Sequence, residues 1–527
     1  MSDRNGTTQF AISPLKRRTM LRGAVAGIAV MAFGGGLVRQ ANAQEATPKK
    51  GGTLNMAYTS GTVRESLDPA RASMGNDTIY CAHIYDRLIR LENGFAISNQ
   101  LAENYSSNEA GSAWTFVLRE GLSFSDGTPL TTADVAYSFA RVLDPATASP
   151  SQASLAQTLD PQGIQVVDDR TITFNLKEPN SQFPLQIAAR NFAIVKKGTS
   201  EFTVETAIGS GPFRLTSFAP GESWEMVRNE HYWRPNLPYL DGIRQVNIVE
   251  SATLIQSLLS GNSNVIGQVG PAQAQLIEAS DKAHVAVSEN SAFMYVVMDL
   301  TQAPFDDPRV VRAIKLAVDR QALLNVVFQG YGTLTSDVHI WPGHPTYPEN
   351  LGIRAQDLAQ AKALLEEAGH PNGIELELFT SPSLSGMVEL ATAFAEIVRP
   401  AGINVTIRQE NAGTYWSQIW QVKPMYVSYS QARPPVTMLS NLYATKPAFA
   451  ETKLNNPEID RILGDVRTSL DVDKQNALLR KAWQIVADES GSSVAFSLNV
   501  LWGMSNNIRD VRTHSGDNLQ FHDAYFV

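Results

Sequence analysis

Between residues 293 and 320 the hydrophobic pattern changes period once. Tyr295, Val296, Val297 and Met298 form a short apolar run that predicts a strand. Ala303-Pro304-Phe305 ends regular pairing, because proline has no N–H to give to a ladder. Asp306 or Asp307 then caps a helix, with Pro308 at the first position, where a missing donor costs nothing. Val310, Ala313, Ile314, Ala317 and Val318 recur at the spacing of one helix face. A strand that leaves one body and opens the first helix of another is how a hinge is written, so the chain reads as two bodies joined here.

Residues 51–57 predict an opening strand and Leu67-Asp68-Pro69 a turn. Residues 79–91 predict a helix. From Ala113 the period becomes two: Trp114, Phe116 and Leu118 share a face, followed by Leu122 and Phe124, with turns at Glu120-Gly121 and Asp126-Gly127. Thr131 and Asp134 form a capping box before an amphipathic helix, and residues 170–176 alternate as another strand. Residues 90–205 therefore read as an inserted α+β subdomain. Ile208-Gly209-Ser210-Gly211-Pro212-Phe213 suits a sharp turn close to other backbone, and a strand follows it; a phosphate-cradling loop would need a lysine and a helix. Residues 254–259 predict a helix and 264–269 a strand.

Past the hinge, Leu358, Ala361, Leu365 and Ala368 mark a helix stopped by Gly369. Residues 374–379, 387–399 and 403–409 read strand, helix, strand, a unit that implies parallel pairing. Residues 459–487 are helical, and residues 493–501 predict a strand returning to the first body. The fold class expected is α/β, with two crossings near residues 295 and 495.

Composition narrows the class. A chain of 527 residues exceeds one ordinary domain, and its apolar and charged fractions are those of a globular protein. Net charge is −9, but residues 1–43 hold six basic residues and one acid, so the remainder carries 37 basic and 51 acidic residues, a net −14. An acidic body argues against nucleic acid as partner. Cys81 is alone, which excludes an internal disulfide, and a buried apolar role suits it. Lys16-Arg17-Arg18 followed by an apolar run and Ala41-Asn42-Ala43 is an export signal, either of the twin-arginine kind or an ordinary secretory one. Cleavage would leave Gln44 near the mature start, and no cysteine follows to carry a lipid.

The stretch FDDPRVVRAIKLAVDR (305–320) resembles the signature of the family-5 extracellular solute-binding proteins, the dipeptide, oligopeptide and nickel receptors of ABC importers. GGTL (51–54) with LDP (67–69), IYDRLIRLENG (84–94), WTFVLREGLSFSDGTPLTTADVAYSFAR (114–141), GSGPF (209–213) and NEHYW (229–233) match the same family in order. The resemblance covers nearly all of residues 50–527. It implies a two-lobed periplasmic binding protein fold of type II. Lobe I would comprise residues 44–89, 206–292 and 494–527, with residues 90–205 inserted, and lobe II residues 293–493. It also implies a monomer in the periplasm that delivers a small-molecule or peptide ligand to an inner-membrane ABC permease, without cofactor.

Candidate chemistry is sparse elsewhere. HExxH, GxSxG and Walker A patterns are missing, and His339 and His344 sit five apart in a Pro/Gly-rich loop without a clustered carboxylate. Residues 411–443 are informative: Tyr415, Trp416, Trp420, Tyr426 and Tyr429 lie within fifteen residues, ahead of Arg433. Aromatic walls with few placed polar groups suit a small-molecule cleft, although Trp416 and Trp420 at i, i+4 also suit burial on one helix face. The resemblance puts Tyr429, Ser430, Gln431 and Arg433 on the second lobe's binding strand and loop. It puts Asn76 and Gln268 on the first lobe's side, with Tyr295 and Phe496 near the crossings. Peptide receptors of this family carry an aspartate in that loop for the ligand's ammonium group, and residues 411–443 contain no acid. Either Asp77 or Asp299 substitutes, or the ligand lacks a free amine. Arg433 suits a carboxylate, on the ligand or on its own lobe. The expected ligand is a peptide or a carboxylate-bearing amino-acid conjugate. A nickel or metal-chelate receptor, a periplasmic hydrolase and a scaffold use of the fold are the alternatives.

Overall fold

The computed structural model describes residues 48–59, 61–73, 75–514 and 518–527, so the expected export signal lies outside the described residues. Among them one twelve-stranded sheet runs through both lobes. Its ten-strand path begins in the second lobe with Ile403–Gln409, Ile374–Thr380 and Met425–Gln431. It passes through Ala283–Met298 and Phe496–Ser505, and ends in the first lobe with Val265–Val269, Thr53–Tyr58, Gly242–Asn247, Ser223–Arg228 and Phe213–Ala219.

Two strands belong to both lobes. Residues 283–288 pair antiparallel with residues 501–505 and Val500 of the returning strand; after a register break between Ser288 and Ala292, the same strands pair again through Ala292–Leu498 and Phe293–Ser497. From Ala292 onward the first of them also pairs with Met425–Gln431. The crossings therefore lie at residues 288–292 and 498–500, several residues from the expected 295 and 495. The apolar run at 295–298 marks only the half of a sixteen-residue strand that is buried on both faces. The first half is only partly buried and carries polar residues, which hid it.

The family-like signature around residue 307 is structural throughout. Asp307 caps Pro308–Ala317 by accepting from Arg309 N, and Asp319 caps Arg320–Phe328 by accepting from Ala322 N. Lys315 is buried with its ammonium donating to Ala487 O, and buried Arg320 reaches Asp337 at 2.8 Å. In the second lobe Ile374–Thr380 and Ile403–Gln409 pair in parallel around Met387–Val398, as the periodicity predicts.

One local expectation fails. Residues 79–91 are not one helix: Gly75–Ile84 is helical, and Ile89–Leu91 is a strand paired with Ile97–Asn99. Tertiary bonds hold the intervening residues out of helix, with Tyr85 OH donating to Leu67 O and the Arg87 amide donating to Gln100 Oε1. Leu122 and Phe124 are buried beyond the Glu120-Gly121 turn that ends the strand Ala113–Leu118, and Phe124 N donates to Thr128 O across the Asp126-Gly127 turn, as the alternation implies. Four strands, including Ala113–Leu118 and Thr171–Leu176, form a separate sheet. The Thr131–Asp134 capping box is present at the start of Thr132–Leu143.

Gly209 and Gly211 explain the turn at residues 208–213. A Cβ on either would lie under 3 Å from the backbone of Ile84, so only glycine permits this approach.

Candidate functional site

The strand Thr53–Tyr58 sits between two parallel neighbours, and Tyr58 is its last residue. Ligands of open α/β sheets bind beyond such carboxyl ends. The Tyr58 ring stacks on Trp502 of the returning strand, with centroids 6.1 Å apart and planes at 16°. Gly267 lies beneath both rings, since a Cβ there would fall within 3 Å of each. Trp502 is fixed in turn by its indole N–H, which donates to Ser288 Oγ at the register break.

From the second lobe, Tyr429 comes close to this pair. Burial raises its phenol pKa, the neighbouring Tyr58 raises it further, and Arg433 opposes both. Tyr58, Tyr429 and Arg433 thus gather from both lobes at the mouth of the hinge. Tyr58 escaped the sequence reading; its position at the carboxyl end of the opening strand was the available signal.

Arg433 is exposed to water yet enclosed by protein on several sides, and the partial loss of hydration lowers its pKa. Its charge interacts with Tyr429, and among the described residues it forms no ion pair. The bridge to its own lobe is therefore not made. Ser430 donates to Gln431 O and touches Met438 Sδ, while Gln431 is exposed beside Arg433. Trp416 is 37% exposed and meets Trp420 edge-on at 6.1 Å. The helix there covers only Tyr415–Gln418, so Trp420 lies beyond its end and the two do not share a helix face.

Three expected contact residues are interior. Asn76 is 2% exposed; its amide donates to Glu65 Oε1 at 2.9 Å and its carbonyl accepts from Trp224. Tyr295 is fully buried and its hydroxyl donates to Glu451 Oε2 at 2.7 Å. Phe496 packs edge-on against Phe328 at 5.6 Å inside the second-lobe core. Gln268 lies on Val265–Val269, and its side chain is outside the described residues.

The two acids considered as ammonium partners are also engaged. Asp299 is held by Lys453 at 2.5 Å and by Thr301 and Gln302. Asp77 is 2% exposed and accepts from Ser73 N. His339 is sealed in the core with Nδ1 at Tyr443 OH, whereas His344 reaches Gly94 O and Thr346, so the two do not converge as a metal pair. Among the described residues no group of three potential metal ligands forms, and no helix is long and apolar enough to cross a membrane.

Two lobes sharing two crossing strands, with aromatic rings and Arg433 at their junction, define a hinged solute-binding protein. The chain belongs to the bacterial extracellular solute-binding proteins, family 5: the model of that family's middle region matches residues 96–449. The glutathione-binding protein GsiB of Escherichia coli (strain K12) is 27% identical over 447 residues, covering 81% of this chain and 85% of that protein. Among solved structures, AgaA of A. tumefaciens R10 in complex with agropinic acid is 22% identical with a TM-score of 0.71, covering 90% of this chain and 99% of that one. DppA of Helicobacter pylori in complex with peptide STSA is 22% identical with a TM-score of 0.71, covering 91% and 98%. These structures share the type II periplasmic binding protein fold with this chain, which is a substrate-binding protein of the ABC-importer class.

Proposed function

We propose that the protein captures a carboxylate-bearing peptide or amino-acid conjugate between its lobes and delivers it to an inner-membrane ABC permease for uptake. Arg433 carries the reading: it is a partly enclosed guanidinium that forms no ion pair among the described residues, in a loop that contains no acid to receive an ammonium group. A planar guanidinium binds a carboxylate through two parallel N–H donors. Glutathione, bound by the relative GsiB, and agropinic acid, bound by AgaA, are both carboxylates.

Closure follows from ligand contacts made to both lobes at once, which favour the closed form by the difference in contacts between the two states. The binding loop is tied to the hinge, because Ala432 N donates to Ser291 O at 2.9 Å beside the register break. The reading includes export by the twin-arginine route, cleavage near Gln44, a monomer with the lobe boundaries given above, and no catalytic step.

The test is calorimetry and thermal shift with glutathione, N-acetylated dipeptides, free dipeptides, an opine and a nickel chelate. Arg433→Ala should weaken the best carboxylate ligand about a hundredfold, the scale of a lost charge-assisted pair, without lowering the melting temperature of the empty protein. Unchanged affinity in that variant refutes the carboxylate reading.

A further inference from the structure

Behind the binding strand lies a buried glutamate that the site as described above leaves unused. Glu451 sits in the segment between the helices Pro435–Leu442 and Pro457–Thr468 and is 4% exposed. Its carboxylate receives three neutral donors from three separate segments. Tyr295 OH, on the crossing strand, donates to Oε2 at 2.7 Å. Trp420 Nε1, just past the aromatic helix, donates to Oε1 at 2.7 Å, and Ser428 Oγ, on the binding strand, donates to Oε1 at 2.8 Å.

Among the described residues no lysine, arginine or histidine pairs with this carboxylate. Tyr415, Tyr426 and Tyr443 are the other titratable groups that interact with Glu451, and all three are neutral phenols. A buried carboxylate without a counter-charge costs several kcal/mol more than a hydrocarbon of the same shape. The three donors offset that cost only while all three segments stay in place. The geometry also faces the right way. Successive residues of a strand point to opposite faces, so Ser428 bonded behind the strand leaves Tyr429 on the side of Tyr58. Trp420 bonded at its ring nitrogen holds Trp416 edge-on at the lobe surface.

We propose that Glu451 is the positioning residue of the second-lobe ligand wall, fixing the Trp416–Trp420 turn and the Ser428–Arg433 end of the binding strand in one piece. This rests on the reading of that wall as ligand-binding. The segment around Glu451 is itself fastened: Ala450 N donates to Gln421 Oε1, the Phe449 ring packs on Trp420 at 5.5 Å, and Leu300 N donates to Thr452 O. The anchor is therefore stiff enough to impose its geometry. Burial raises the carboxyl pKa of Glu451 above its ordinary value, and protonation of the carboxylate weakens its hold on Trp420.

Three variants test this on the intact mature protein. Glu451→Met removes the acceptors while keeping the volume; Glu451→Gln keeps Oε1 for Trp420 and Ser428 and lets Tyr295 accept instead of donate. Trp420→Phe removes one donor at the half-buried rim, and serves if Glu451→Met does not fold. The first readout is hydrogen exchange without any ligand. Glu451→Met, or Trp420→Phe in its place, should raise exchange in residues 425–433 about tenfold, the scale of a lost charge-assisted hydrogen bond, with residues 403–409 unchanged. Glu451→Gln should stay within about threefold of wild type and lose the pH dependence of the Trp420 indole N–H resonance. The second readout is affinity for glutathione or an N-acetylated dipeptide, expected to fall about tenfold in Glu451→Met and little in Glu451→Gln. Wild-type exchange in residues 425–433 of both Glu451→Met and Trp420→Phe overturns the proposal. If wild type binds neither probe, affinity is read with whichever carboxylate of the wider panel binds; if none binds, the carboxylate reading fails, and the exchange measurement still decides the role of Glu451.

Discussion

Asn290 and Asn499 meet at the level where both crossing strands pass from one lobe to the other, and the Asn290 backbone N–H donates to Asn499 Oδ1 at 3.0 Å. Asn290 has φ of 53° and accepts from Ser497 Oγ at 2.5 Å. The register break is thus not a loose joint. It is a left-handed residue stapled to the opposite strand from both its backbone and its side chain.

That geometry predicts different outcomes for two substitutions. Asparagine tolerates the left-handed region, glycine prefers it, and alanine pays about 1–2 kcal/mol there. Asn290→Ala should therefore destabilise by about 2–3 kcal/mol, combining that strain with the lost Ser497 bond. Asn290→Gly should lose only the bond and gain freedom, widening the distribution of lobe separations. Chemical denaturation gives the first result and small-angle scattering of the empty protein the second. Equal stability of the two variants would remove the backbone argument.

The second lobe was the most legible part of the sequence. Leu358 to Glu367 and the strand–helix–strand unit from Ile374 to Gln409 carry clean periods and clear stops, and each forms close to its predicted bounds. Residues 85–88 were misread because long-range bonds from Leu67, Gln100 and Ala193 decide their conformation, and no local window contains those partners. The site was legible as a region and not as a residue set. Tyr429 and Arg433 come to the junction, but Tyr295 turns inward because its hydroxyl finds Glu451 more than 150 residues later. An isolated glutamate among alanine, phenylalanine and threonine carries no local sign of burial, so Glu451 went unseen.

Asp86 gives a pH dependence of known sign. It is fully buried at the junction of the helix Gly75–Ile84 with the inserted sheet, and it accepts from Trp233 Nε1, Ser210 Oγ and Gln100 Nε2. Burial raises its pKa from 3.8 to about 6 against these donors and the nearby Arg90 and Arg87. Between pH 3.8 and 6 the native state holds this proton more tightly than the unfolded chain does. The contribution is complete below pH 3.8 and lost as pH rises through 6, amounting to about 3 kcal/mol. Subtracting the stability profile of Asp86→Asn from that of wild type should leave this falling curve. A flat difference would show that Asp86 titrates alike in the folded and unfolded chain, and a rising one that it stays ionised in the fold.

Lys315 carries the opposite dependence. Burial lowers its pKa from 10.5 to about 8, with Arg354 and Arg320 adding to the shift and Asp337 opposing it. Asp337 already pairs with Arg320 at 2.8 Å and Arg354 at 2.9 Å, so Lys315 is a third cation around one carboxylate. Above pH 8 the native state releases a proton that the unfolded chain keeps, so stability rises with pH up to 10.5. Lys315→Met should remove that rise and stabilise the protein by about 1–3 kcal/mol at pH 7, as replacement of buried charge by hydrocarbon does elsewhere. Loss of stability in this variant would mean that the bond from Lys315 to Ala487 O outweighs the desolvation.

The inserted sheet also reaches across to the second lobe, away from the hinge. Ser181 N donates to Arg467 O at 2.7 Å and Ser181 Oγ to Val466 O at 2.8 Å, at the end of the helix Pro457–Thr468. Gln475, on Val472–Glu489, donates to Ser181 Oγ and accepts from Gln182 Nε2, both at 3.1 Å. On another edge His344 meets Gly94 O, and Trp341 packs on Phe95 at 5.7 Å. These contacts join the lobes without involving Tyr58, Tyr429 or Arg433, so they bias the hinge independently of ligand. Each such bond contributes about 1 kcal/mol when its partners can otherwise turn to water. Ser181→Ala combined with Gln475→Ala should therefore shift the empty protein toward open lobes and weaken ligand about tenfold, with the bound form unchanged in shape. Scattering with and without ligand measures the first effect and calorimetry the second. Weakened binding with no change in the empty protein's shape would place these residues at the ligand and not at the clasp.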